Sequence, residues 1–156
     1  MQKSIKKKIA ATVLATCLVA NVATPSFAAE RPEGVTFENG LEYTTELDCA
    51  IYEPTGTEPR GILDPYEVKS GKSIVRDQEN FKQWGKGWVN VLDKENGKGY
   101  WHYTNTQLKD SNKNVVAESG RVYDYGYVET ETDKVSNGYS YTCYVYYGDI
   151  GSIDPS

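Results

Sequence analysis

Residues 139–147 read Tyr-Ser-Tyr-Thr-Cys-Tyr-Val-Tyr-Tyr. Successive side chains of a β-strand point to opposite faces, so Tyr139, Tyr141, Cys143, Val145 and Tyr147 share one face, and Ser140, Thr142, Tyr144 and Tyr146 the other. The Cys143 face is the more apolar and is the expected core side. Tyr, Val and Thr all favour strands. Upstream, 121–132 is a second long, Tyr-rich strand. Val122 and Val128 fall on the side of Gly126, and Tyr123, Tyr125 and Tyr127 form a stripe opposite; alternation leaves open which side is buried. Gly126 in mid-strand marks a bulge or a ring lying over the backbone.

Val115–Glu118 is a short strand, and 87–92 and 100–106 form a hairpin around Asn96-Gly97, with Asn137-Gly138 as the last turn. Asn-Gly supplies the positive-φ step of a tight turn. Strands at this spacing predict an all-β domain over 81–156, a small antiparallel β-sandwich or barrel. Residues 29–80 carry Pro32, Pro54, Pro59 and Pro65 among acids and glycines. They are expected to form an extended, partly irregular N-terminal arm with one or two strands near Leu41–Tyr52. Asp77 to Trp84 is the best helix candidate, about two turns long.

Residues 1–28 have the order of a secretory signal peptide. Lys3, Lys6, Lys7 and Lys8 precede an apolar run from Ile9 to Ala23, and Ser26-Phe27-Ala28 offers small residues at a cleavage site. Cleavage is expected after Ala28, with the product secreted. The apolar run is short of the ~20 residues that span a bilayer, so no stable membrane insertion is expected after cleavage. Four of the 17 basic residues and none of the 22 acidic ones lie in 1–28. The remaining 13 bases against 22 acids give a net charge of −9, which argues against nucleic acid as a partner. Cys49 and Cys143 remain after cleavage, and an even pair in an exported chain is expected to form a disulfide.

Little points to catalysis. One histidine, His102, and two distant cysteines do not make a zinc site. No nucleophile elbow, phosphate loop or dinucleotide fingerprint is present. Carboxylate pairs for glycoside hydrolysis cannot be singled out in so acidic a chain. No catalytic residue, cofactor or metal is therefore expected. The suggestive cluster is aromatic: Trp84, Trp88, Tyr100, Trp101, His102 and Tyr103. Either these residues form the core, or some of them stack on a sugar or a flat cell-wall group. Alternation separates Trp101 and Tyr103 from Tyr100 and His102. Trp101 and Tyr103 are expected inside, and Tyr100 and His102 outside as the contact surface, with the stripe Tyr123, Tyr125 and Tyr127 as a second candidate.

From Gly85 to Tyr147 the chain resembles the lactococcin-972 family of secreted bacteriocins. The shared features are Gly85-Lys86-Gly87-Trp88, Tyr100-Trp101-His102-Tyr103, Ser111–Val116, Gly120–Tyr127 and Tyr144-Val145-Tyr146-Tyr147. The 50-odd residues ahead of Gly85, the two cysteines and the single histidine depart from the family pattern. The resemblance implies a β-sandwich and an antimicrobial protein that binds a cell-wall precursor of rival bacteria. The resulting expectation is a non-enzymatic, bacteriocin-like protein acting on the envelope of related Gram-positive bacteria. A secreted carbohydrate-binding, adhesin or inhibitor module is the alternative, and a small hydrolase comes third. Its partner is expected to be an envelope component or a glycan, and the sequence leaves the oligomeric state open.

Overall fold

A computed structural model of the protein describes residues 33–54 and 65–156. The signal-peptide and cleavage-site readings lie outside these residues. Within them the chain is all-β, and two mostly antiparallel sheets form a sandwich. The strands are β1 (Gly34–Glu38), β2 (Leu41–Leu47), β3 (Ile51–Tyr52), β4 (Tyr66–Asp77), β5 (Lys82–Asp93), β6 (Trp101–Lys109), β7 (Val115–Glu118), β8 (Val122–Tyr125), β9 (Tyr127–Glu131), β10 (Val135–Ser136) and β11 (Thr142–Gly148). The larger sheet runs β1-β2-β4-β5, with β9 and β10 both on the free side of β5. The smaller runs β3-β11-β6-β7, with β8 also paired to β6. Among the described residues, only β3 and β11 run parallel.

The division into arm and domain is corrected by this pairing. β4 pairs β5 along its full length, from Tyr66↔Asp93 to Asp77↔Lys82, and β2 pairs β4 from Leu41↔Asp77 to Leu47↔Gly71. The expected boundary at 80/81 falls inside the β4–β5 hairpin turn. The helix expected over Asp77 to Trp84 is instead this turn followed by β5. The Asp77 carboxylate accepts hydrogen bonds from the Asn80 backbone N–H (3.0 Å) and side-chain amide (2.7 Å), and Phe81 takes φ 51°. A local side-chain cap of this kind competes with helix formation.

The core lies between the sheets. β5 contributes Val89 and Val91 and β11 contributes Val145, joined by Tyr100; Ala50, Tyr66, Val68, Tyr147, Ile150 and Ile153 pack around them. Cys143 and Val145 are buried, as alternation indicated. β6 turns His102, Thr104, Thr106 and Leu108 inward, each fully buried. Glycines on β5 set the close spacing of the sheets. A Cβ at Gly87 would collide with Thr106 and Val145, and one at Gly85 would sit 2.9 Å from Cys143 Sγ.

Two connections expected within one sheet instead cross between sheets. After β5, Asp93 Oδ1 caps the backbone N–H groups of Glu95 and Asn96, and Gly97 takes φ 72°. The Asn-Gly turn is therefore present, but the ladder ends at a single Leu92↔Gly99 bridge, and β6 joins the other sheet. The strand expected over 121–132 breaks at Gly126, φ 66°, which passes the chain from β8 in the smaller sheet to β9 in the larger.

Candidate functional site

The outer face of the smaller sheet carries the candidate site. The β6–β8 register places Trp101 opposite Tyr125 and Tyr103 opposite Tyr123. The β6–β11 register places Asn105 opposite Tyr146 and Gln107 opposite Tyr144. All eight side chains point away from the core. Trp101 is 36% exposed and Tyr123 39%. Their rings are stacked with centroids 6.0 Å apart, and the Tyr125 ring meets Trp101 edge-on at 5.0 Å.

A polar network borders these rings. The Arg121 guanidinium lies 4.3 Å from the Tyr103 ring centroid, within cation–π range. The Tyr103 hydroxyl donates to Glu53 (2.7 Å), and the Tyr123 hydroxyl donates to Asp149 (2.8 Å). Arg121 lies within 4.0 Å of both carboxylates. Burial, then the Glu53 carboxylate, raises the Tyr103 hydroxyl well above the ordinary tyrosine range, so it stays a neutral donor. Further along β6, the Tyr144 and Tyr146 rings stand parallel at 6.3 Å. Lys109 Nζ lies 5.0 Å from each centroid and donates to the Tyr146 hydroxyl at 2.7 Å.

The residues expected at the contact surface divide among three environments. His102 is fully buried and Tyr100 nearly so, which corrects their assignment to a wet face. His102 Nδ1 donates to the Tyr100 carbonyl at 3.0 Å, and burial lowers its pKa. Tyr100 donates to Asp93 at 3.2 Å. Trp101, expected inside, is on the open face. Tyr103 is fully buried, but on that same outer side, beneath Arg121 and Tyr123. Inversion follows from β6 joining the smaller sheet: its inner side is lined by threonines and His102, and its outer side by rings. Tyr123 and Tyr125 belong to the open face. Tyr127, beyond the Gly126 kink, packs at 5.6 Å against Trp88 on the larger sheet.

Trp84 and Trp88 are buried on the outer side of the larger sheet, Trp84 beneath the Lys134 ammonium at 4.4 Å and Trp88 over Gly71. The expected Cys49–Cys143 disulfide is not formed, and both thiols are free. Cys143 Sγ packs against Gly85, whereas Cys49 Sγ turns to the Glu46 carbonyl, 3.5 Å away. Arg121, Glu53 and Asp149 escaped the sequence reading because they lie far apart in the chain. Tyr144 and Tyr146 were legible, since the alternation that puts Cys143 and Val145 inside puts them outside.

Among the described residues, no cluster of three or more His, Cys, Asp or Glu is placed to hold a metal ion, and no helix is long and apolar enough to cross a membrane. The chain matches no family model, and neither the curated proteins nor the solved structures contain a match to it.

Proposed function

We propose that this is a secreted, non-enzymatic, bacteriocin-like protein that binds a sugar-bearing component of the envelope of related Gram-positive bacteria through the outer face of its smaller sheet. The supporting observation is the solvent-open Trp101–Tyr123 stack beside the Arg121, Glu53 and Asp149 network. Aromatic faces stack against the C–H face of a sugar ring, and charged or amide groups at their border hydrogen-bond its hydroxyls. Polar orienting groups beside apolar contact area are the general design of a small-ligand site. The same face would serve a carbohydrate-binding or adhesin module, which differs in lacking an effect on growth.

The test is co-sedimentation of purified protein with peptidoglycan sacculi, paired with growth of related Gram-positive strains. Wild type should sediment and slow growth. Trp101→Ala should do neither while still unfolding cooperatively, its midpoint lowered by only about 1–2 kcal/mol of stability. Sedimentation of the two proteins to the same extent would refute the assignment of the face.

A further inference from the structure

We infer that the outer face of the smaller sheet takes a linear glycan of several consecutive rings lying along β6, rather than one terminal sugar or the compact head group of a monomeric precursor. This rests on the binding reading above and specifies its ligand.

The face has two aromatic groups, one at each end. Trp101, Tyr123 and Tyr125 form the first. Tyr144 and Tyr146, bridged by Lys109, form the second. Tyr144 is level with Gln107 in the register, six residues along β6 from Trp101, or ~20 Å at the usual strand rise. One sugar ring covers a single aromatic side chain and leaves the second group without a role.

The β6 residues level with Tyr146 and Tyr144, Asn105 and Gln107, are polar and held in place. Asn105 is nearly buried and its Oδ1 accepts from Ser119. Gln107 donates to Glu118 at 3.1 Å. Arg121 is held over Tyr103. A linear glycan presents the same pattern in repeat, with apolar ring faces alternating with hydroxyls and linkage oxygens. Once one ring is stacked, the next is delivered at high local concentration, so weak contacts along one chain compound.

Titration calorimetry of the purified protein against length series, from single sugars to hexamers, tests this. The probes are β-1,4-linked N-acetylglucosamine, glucose and mannose oligomers, and size-fractionated glycan strands released from peptidoglycan. At least one series should gain tenfold or more in affinity from dimer to hexamer. On its hexamer, Trp101→Ala and Tyr144→Ala should each lose about tenfold, roughly one stacked ring. Lys109→Ala, which leaves the strand residues of β11 in place, should weaken the hexamer and spare the single sugar should Tyr144→Ala fail to fold. Affinity independent of length, or dependence on Trp101 alone at every length, would overturn the inference. Binding to sacculi with no binding to any glycan series would overturn it and leave the envelope reading standing. Loss of both would overturn the two together.

Discussion

Trp101 and His102 are adjacent in β6 but face opposite sides of the sheet, and replacing them should separate binding from stability. Trp101 keeps 36% of its surface in water, so Trp101→Ala should cost about 1–2 kcal/mol, short of the ~3–5 kcal/mol of a core aromatic truncation. His102 is fully buried, and burial holds its pKa below the unfolded value of 6.5. The folded state therefore binds fewer protons than the unfolded one as pH falls. His102 contributes stability that is fully present above pH 6.5 and is lost as the pH drops through the folded pKa. Urea midpoints between pH 7 and pH 5 should fall for wild type, and less steeply for His102→Gln; equal slopes would exclude this role. The two thiols also differ. Burial pushes Cys143 up to about 12, while Cys49 is only half-buried. A maleimide should label one thiol in the native protein and the second only in denaturant. Two native labels, or none after unfolding, would contradict the free, unequal pair.

At the scale of elements, glycines decide where strands go. Gly87 on β5 lies where a Cβ would strike Thr106 and Val145, both fully buried on the opposing sheet. Gly87→Ala should destabilise by about 1–3 kcal/mol through overpacking, measured as a lowered urea midpoint. Gly126 holds φ 66° at the crossing from β8 to β9. Gly126→Ala places a Cβ in the left-handed region at ~1–2 kcal/mol. It should loosen Tyr123 and Tyr125 and so weaken binding as well as folding. The helix expected over Asp77 to Trp84 failed for a local reason: Asp77 closes a hairpin turn through Asn80, and β5 then continues through Trp84 with β4 as partner.

Among the described residues, the strands on both sides of the composition boundary near residue 80 belong to one sandwich. β1, β2 and β4 make up half of the larger sheet, and the inner face of β4 places Val68 against the core. A chain beginning at residue 81 should therefore show no cooperative thermal transition, whereas one beginning at residue 29 should melt in a single step. Independent folding of 81–156 would restore the division into arm and domain.

Much was determined by the sequence alone, because it depends on local chemistry. Strand-favouring Tyr, Val and Thr in alternation yield an all-β chain, Cys143 and Val145 face inward, Val115–Glu118 forms a short strand, and Asn96-Gly97 turns the chain. The tertiary structure decided which face of β6 is wet. Both sides of the segment 100–103 carry rings, Tyr100 and His102 against Trp101 and Tyr103, so alternation separates them without ranking them. The choice came from the packing partner: Gly85 and Gly87 of β5 bring Thr106 and Leu108 in at close range, and with that side of β6 turned inward alternation puts Trp101 on the outer face. The tertiary structure likewise assembled Glu53, Arg121 and Asp149, because residues far apart in the chain meet only once the strands that carry them are paired.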